Sequence, residues 1–186
     1  MVIGIIVAIV VLLALWAVSV YNKLVRFKNN RENAFADIDV QLRQRNDLVP
    51  QLVSTVKGYA AHEKDLLERI TQARASVMNA NTINDKIAAD TQLTSALQGL
   101  RVQIEAYPDL KANQNFLQLQ QEISDIENKL AAARRYFNSA TREYNTAIES
   151  FPGNLIAGSF GHARQPMYEL SATERTTMEQ PPQINF

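Results

Sequence analysis

The chain has 186 residues, of which 46% are hydrophobic, and its 19 basic and 19 acidic residues give a formal net charge of zero. This balance leaves no basic surface to hold a phosphate backbone, and few aromatic residues are available to stack on bases, so nucleic acid is not an expected partner. The absence of cysteine excludes a disulfide framework and thiolate metal sites. The length allows one domain in addition to a membrane segment.

An apolar segment without any charged residue runs from Val2 to Val20. As a helix it would be about 28 Å long, close to the hydrocarbon thickness of a bilayer. Trp16 and Tyr21 lie near its trailing end, where aromatic rings prefer the headgroup level. A cleaved signal peptide is the alternative, but no Lys or Arg precedes the apolar run, which is longer than a usual signal core. We therefore predict a transmembrane anchor over residues 1–21.

The orientation of this anchor is predicted from its flanks. Lys23, Arg26 and Lys28 follow the span closely, whereas only the amino terminus precedes it. The positive-inside rule then puts the amino terminus outside and the rest of the chain in the cytoplasm. A domain outside the cytoplasm is the alternative, and it gains weight if these basic residues are committed to packing within the domain.

Apolar residues at spacings of three and four predict helices throughout residues 22–150. We assign these helices to residues of about 22–47, 50–79, 84–106 and 109–149. Pro50 is tolerated in a first turn and disfavoured inside a helix, so a turn is predicted near residues 46–50; one kinked helix through Pro50 is the alternative. Short connections favour an all-α fold, in which the anchor continues into a long antiparallel four-helix bundle with coiled-coil-like stripes.

The C-terminal tail, residues 151–186, is predicted to be irregular and to start near the membrane, because four alternating helices return the chain to its starting level. Its opening carries four large apolar residues: Phe151, Leu155, Ile156 and Phe160. They are interpreted as a cap that closes the end of the bundle, with an interfacial lipid or partner contact as the alternative. At the chain end, Ile184 and Phe186 could add as a strand to a neighbour, although disorder is the safer expectation.

No motif predicts catalysis or a cofactor. His62 and Glu63 resemble the start of a zinc-protease motif, but Leu66 stands where the second histidine is required, and only His162 remains elsewhere. A glycine-rich phosphate loop and a supported serine nucleophile are also missing from the sequence. We therefore predict that the protein is not an enzyme and carries no cofactor or metal.

Five charged residues fall on or beside the apolar stripes: Arg31, Arg45, Glu63, Glu127 and Arg134. Charges on such a seam must pair or reach water. They could form a buried ion-pair layer that fixes the register of the helices. Alternatively they snorkel to the surface, or they face another subunit.

Several runs occur in an order typical of one protein family: RENAFADIDVQL (31–42), DLVP (47–50), VKGYAAHE (56–63), YPDLKA (107–112), ARRYFN (133–138) and FP (151–152). In these runs the chain resembles the LemA family of bacterial membrane-anchored helical proteins, although its tail departs from the family pattern. The resemblance implies one N-terminal helix in the bacterial inner membrane and a helical domain beyond it. It implies no established enzymatic activity and no cofactor.

Together these features predict a non-enzymatic membrane-anchored scaffold that self-assembles through its helical bundle and tail. Its expected partners are the lipid bilayer and further copies of the chain, since one anchor offers no transport path and near-heptad stripes suit contacts between helices. The alternative is an adaptor that presents the bundle to a membrane partner, such as a metalloprotease in envelope quality control. A ligand sensor ranks lowest, because the stripes supply no converging polar set.

Overall fold

A computed structural model describes residues 1–60 and 62–168, and every regular element in these residues is helical. The elements are α1 (Val2–Lys57), α2 (Lys64–Asn79), α3 (Ile83–Ile104), α4 (Pro108–Lys111), α5 (Gln114–Glu149) and α6 (Gly153–Ala157), followed by a 3₁₀ turn at Gly158–Phe160. The predicted all-α fold is confirmed. The two residues considered as a strand at the chain end, Ile184 and Phe186, lie outside the described residues.

The first helix differs from the prediction at Pro50. The expected turn at residues 46–50 is wrong, because α1 continues through Pro50 and ends at Lys57. Proline has no N–H to donate to the carbonyl of Asn46 one turn earlier. That carbonyl accepts a hydrogen bond from the Nε atom of Arg74 at 2.9 Å instead. The chain therefore turns later, and the second helix begins at Lys64 rather than at residue 50.

The remaining boundaries follow from local capping. Thr82 caps α3, since its hydroxyl oxygen accepts from the backbone N–H of Asp85 at 3.1 Å. The predicted last helix is divided, because Asn113 accepts from the N–H of Phe116 at 3.0 Å and separates the short α4 from α5. Pro108 occupies the first turn of α4, where its missing N–H costs nothing.

The chain forms two compact units, which we describe separately. The first unit comprises residues 1–39 and 131–167, and the second unit comprises residues 40–130 together with Tyr168. The core of the first unit contains Leu24, Ala34, Ile38, Phe137, Ala140, Tyr144, Ile148 and Ala157. The core of the second unit contains Leu42, Val49, Val56, Ile70, Leu93, Leu97, Leu110, Phe116, Ile123 and Leu130. The predicted apolar stripes are thus largely buried within the chain itself.

The N-terminal part of α1 is the membrane candidate. Within the part of the chain that the structure describes, α1 is the one helix long and apolar enough to cross a bilayer, and none of its apolar window is buried. A continuous helix satisfies its backbone hydrogen bonds internally, as a lipid environment requires. The anchor predicted from the sequence is compatible with this geometry.

Candidate functional site at the anchor junction

The anchor junction is the part of the first unit where the apolar span of α1 meets α6 and the 3₁₀ turn. The ring centroids of Trp16 and Phe151 are 6.3 Å apart. The centroids of Tyr21 and Phe160 are 4.8 Å apart. Aromatic residues predicted separately, as an interfacial belt and as tail contacts, therefore meet in two pairs.

The inner face of α6 closes the core of the first unit. Ala157 packs with Leu24 and Tyr144, and Gly153 is also buried. A Cβ added at Gly153 would lie 1.9 Å from the carbonyl oxygen of Ala147, so only glycine allows this approach. The predicted cap therefore has a structural counterpart, but it is made by small residues that the sequence analysis did not name.

The outer face of α6 and its flanking turns carries the predicted tail residues. Phe151, Leu155 and Phe160 are 74%, 63% and 61% exposed, whereas Ile156 is half-buried. Exposed aromatic and branched side chains grouped in so short a segment are unusual for a surface in contact with water alone. This face remains available for a contact outside the chain.

A groove of about 560 Å³ opens beside these residues. Apolar side chains form much of its wall, including Trp16, Val20 and Phe151. Its charged lining residues are Lys23, Arg142 and Glu143. The groove thus combines an apolar wall with an excess of one positive charge, two cations against one carboxylate.

The basic residues that follow the span stay at the surface. Lys23 and Arg26 each lie 5.8 Å from the ring centroid of Phe27, within the range of a cation–π contact. Lys28 is 4.0 Å from the carboxylate of Glu32, and both side chains are about half exposed. Such solvent-exposed ion pairs contribute little to the stability of the fold. These residues are therefore not committed to the core, although the orientation of the anchor stays a prediction.

Arg31 is buried but forms no ion pair among the described residues. Its Nε atom donates to the hydroxyl of Thr141 at 3.2 Å, and its guanidinium lies 4.8 Å from the ring centroid of Phe137. Burial lowers the pKa of Arg31, and the neighbouring Glu32 partly opposes this effect. A hydroxyl and an aromatic face therefore take the place of the predicted carboxylate partner.

Arg45 is the one predicted seam residue found in a fully buried ion pair of the described structure. One nitrogen of its guanidinium donates to Asp90, and the other donates to Thr94 at 3.1 Å. The hydroxyl of Tyr168 donates to the second carboxylate oxygen of Asp90. Asp90 and Tyr168 were missed by the sequence analysis. Asp90 precedes Leu93 by three residues and Leu97 by seven, so its position on the stripe of α3 was a usable signal.

The other three seam charges are placed differently. Glu63 accepts hydrogen bonds from Gln103 at 2.7 Å and from the hydroxyl of Tyr107 at 3.0 Å, and the latter bond raises the pKa of Tyr107. Glu127 pairs with Arg101 at 2.8 Å in a partly exposed position. Arg134 is half-buried. Arg45, Glu63 and Glu127 thus bond to different partners within the second unit, and a contact with another subunit stays a prediction.

Residues beyond the 3₁₀ turn are held on α5 by side chains that the sequence analysis did not single out as contacts. The amide of Asn145 donates to the carbonyl of Gln165 at 2.8 Å and accepts from its N–H at 2.9 Å. The hydroxyl of Tyr144 lies 3.1 Å from Nδ1 of His162. Burial lowers the pKa of His162, with a smaller effect from Lys28 in the same direction.

Across residues 1–60 and 62–168, no group of three or more His, Asp or Glu side chains is placed to hold a metal ion. In the second unit His62 is exposed, and in the first unit His162 lies beside the hydroxyl of Tyr144.

These features define a helical protein whose N-terminal apolar helix is compatible with a membrane anchor. The model of the LemA family matches residues 34–186, so the chain belongs to the LemA family. The resemblance predicted from the sequence is confirmed. This family is not known as an enzyme family.

Several curated proteins are similar to the chain. Protein LemA of Metamycoplasma hominis is 28% identical over 159 residues, which cover 85% of this chain and 73% of that protein. Magnetosome protein MamQ of Magnetospirillum gryphiswaldense is 21% identical over 170 residues, covering 77% and 62%. Magnetosome protein MamQ 2 of Paramagnetospirillum magneticum is 20% identical over 175 residues, covering 80% and 64%. The chain thus spans less than two thirds of the length of the two MamQ proteins. None of these names states a catalytic activity.

Proposed function

We propose that the protein is a non-enzymatic membrane-anchored scaffold that self-assembles on the bilayer through its helical bundle and tail. The observation that carries this proposal is the continuity of α1, which contains the apolar span and also supplies core residues to both units. Anchoring and folding therefore depend on the same helix. The names of the LemA and MamQ relatives, which state no catalytic activity, are consistent with a non-enzymatic role.

The surface used for self-assembly must lie outside the apolar stripes, because those residues are occupied within the chain. In the second unit, Val102 is 74% exposed and Leu117 is 49% exposed. Single exposed apolar side chains are common, so these two residues support the proposal only as sites at which it can be tested.

The decisive measurement is the mass of the full-length protein in a mild detergent. We expect an oligomer, because a contact repeated in the plane of a membrane either closes into a ring or extends. The variant with Val102→Glu and Leu117→Glu should shift the mass toward the monomer. The matched control, Gln121→Glu with Asn128→Glu, places the same charges at exposed polar positions and should leave the mass unchanged. A monomer in the unaltered protein would contradict the scaffold.

The second candidate function is an adaptor for another membrane protein, such as a metalloprotease. It is favoured by a polar groove of about 730 Å³ along α2 and α3, lined in part by Arg69, Ser76 and Ser95. A photo-crosslinking residue at the exposed Ser95 should capture one heterologous partner in cells, whereas the same residue at Gln118 should not. Self-crosslinks alone would favour the scaffold over the adaptor.

We propose a bacterial inner membrane location with the amino terminus outside and the helical bundle, which follows the anchor, in the cytoplasm. The surface position of Lys23, Arg26 and Lys28 supports this orientation. Because the natural chain has no cysteine, single cysteines report directly on topology. A membrane-impermeant thiol reagent should label Val2→Cys in intact cells and should label Ala163→Cys only after permeabilisation. The opposite pattern would place the helical bundle outside the cytoplasm.

A further inference from the structure

We propose that the groove at the anchor junction binds one anionic glycerophospholipid. The phosphate would lie between Lys23 and Arg142, and the first methylene groups of an acyl chain would lie against Trp16 and Phe151. The inference rests on the proposed function in one respect only, namely that the apolar part of α1 spans a membrane.

Aromatic side chains indicate the depth of the groove relative to the bilayer. Amphipathic rings at the end of a membrane span settle at the headgroup level, which places Trp16 and Tyr21 there. The ring contacts of these residues hold Phe151 and Phe160 at the same depth. The groove shares Trp16 and Phe151 with this aromatic set, so it opens where headgroups meet acyl chains.

The apolar side of the groove is formed by residues from several elements. Leu24 and Phe27 line it from α1, and Ala147 lines it from α5. Phe151 stays 74% exposed at its edge, and Trp16 stays 42% exposed. The exposed apolar surfaces of Phe151 and Trp16 would be unfavourable in water, whereas at the membrane interface an acyl chain can cover them. Leu155 and Phe160, also exposed, extend this apolar surface along the same short segment.

Two cations, Lys23 and Arg142, line the groove. Lys23 and Arg142 are exposed, and neither forms an ion pair among the described residues. Arginine and lysine near a membrane surface attract anionic lipids, and arginine can hold a phosphate through two parallel hydrogen bonds. The hydroxyls of Thr146 and Ser150, which also line the groove, can donate to the glycerol or headgroup oxygens. Glu143 leaves a net charge of one positive unit, which disfavours a second anion.

The volume of the groove fits part of one lipid molecule. A volume of about 560 Å³ is within the range of about 300–1,000 Å³ found for small-molecule sites. The groove therefore accommodates a headgroup and the start of one chain, while the remaining hydrocarbon continues in the bilayer beside the span. A soluble anion such as free phosphate would leave the apolar wall uncovered.

The test measures lipid retention by native mass spectrometry. Full-length protein is exchanged from nanodiscs of phosphatidylglycerol and phosphatidylcholine into mild detergent. We expect retention of one phosphatidylglycerol per chain and little phosphatidylcholine. The double variant Lys23→Gln and Arg142→Gln should weaken phosphatidylglycerol retention about tenfold or more, because both cations that face the phosphate are lost. The control Lys28→Gln with Arg135→Gln removes two exposed cations outside the groove and should have little effect.

A second pair of variants tests the groove by shape rather than by charge. Thr146→Trp projects a large ring into the groove and should abolish retention, whereas Ser139→Trp, on the same helix outside the groove, should preserve it. Equal retention of both lipids, or indifference to Thr146→Trp, would overturn the proposal. Displacement of the lipid by excess glycerol 3-phosphate would also overturn it, since the site would then bind a phosphate without a chain. A change in oligomer mass without lipid loss would assign the groove to a second copy.

A separate measurement distinguishes an error in the proposed membrane span from an error in the proposed lipid site. If alkaline carbonate releases the protein from membranes without detergent, α1 does not span a bilayer and both proposals fall. If the protein stays in the membrane fraction and lipid retention is non-selective, only the lipid site is wrong.

Discussion

Two arginines on α1 occupy equivalent positions and are stabilised in different ways. Arg31 and Arg45 are 14 residues apart, or two heptads, and their exposed fractions are 5% and 1%. In the first unit, Arg31 contacts the hydroxyl of Thr141 and the ring of Phe137. In the second unit, Arg45 pairs with the buried carboxylate of Asp90. The comparison shows that burial of a charge does not by itself identify what surrounds it.

The two environments differ most in what remains when the arginine is removed. Loss of Arg45 leaves Asp90 buried without its cation, and an uncompensated buried charge is strongly unfavourable. Loss of Arg31 leaves a hydroxyl and a ring, which tolerate an apolar neighbour far better.

Arg45→Leu should lower the free energy of unfolding by about 3–5 kcal/mol, because it removes the cation that pairs with the buried Asp90 carboxylate. The measurement is denaturant unfolding of the full-length protein in detergent, followed by circular dichroism. The double variant Arg45→Leu with Asp90→Leu should recover much of the loss. If the double variant were less stable than the single one, the ion pair would not be the cause.

Tyr168→Phe should lower the free energy of unfolding by about 1.5–3 kcal/mol, the range for a hydrogen bond to a charged group. The hydroxyl of Tyr168 donates to Asp90, so its loss removes one stabilising contact and leaves the cation in place. The same unfolding measurement applies, with Tyr136→Phe as the control, since Tyr136 is 52% exposed. Equal effects of the two changes would contradict a role for this hydrogen bond.

Arg31→Leu should change the free energy of unfolding by about 1 kcal/mol or less. The lost hydrogen bond to Thr141 and the lost contact with Phe137 are offset by relief of the desolvation that lowers the pKa of Arg31. Thermal unfolding of this variant beside Arg45→Leu gives the comparison directly. A loss as large as that of Arg45→Leu would mean that the two sites are equivalent after all.

His162 should produce the smallest effect, visible only as a pH dependence. Its folded pKa lies below its ordinary value of 6.5 because of burial, so the unfolded chain binds more protons as the pH falls below 6.5. Its contribution to stability is therefore present at higher pH and is lost as the pH falls through the folded pKa. The melting temperature measured at pH 7.5 and 5.5 should differ less for His162→Gln than for the unaltered protein. An unchanged difference would exclude His162 as the titrating group.

Sequence patterns predicted what depends on local spacing. The apolar span, the position of α3 and the long periodic stripe of α5 all follow from the order of neighbouring residues, and the family resemblance followed from intact runs of sequence. The end of α1 did not, because the effect of Pro50 depends on Arg74 in another helix. The division between α4 and α5 was a missed local signal, since Asn113 is a good N-cap.

The candidate site was predicted in parts but not as a whole. Trp16 was assigned to the headgroup level and Phe151 to a cap on the bundle end, with a lipid contact as the alternative, and nothing in their spacing showed that their rings meet. Arg142 and Thr146 were not singled out, because exposed polar residues on a helix are ordinary until the fold places them beside an apolar wall. In the same way, the pairing of Arg45 with Asp90 required the approach of α3 to α1.

The bond from Arg74 to the carbonyl of Asn46 also bears on the order of folding. Pro50 makes the last two turns of α1 intrinsically unfavourable, and the compensating donor is in α2, which is synthesised later. As the chain emerges from the ribosome, the segment before Pro50 can become helical alone, whereas residues 50–57 gain full helix stability only when α2 docks. We therefore expect residues 50–57 to complete their helix only after α2 has been synthesised and has packed against them. Arg74→Met should therefore slow refolding of the second unit more than it slows formation of the span.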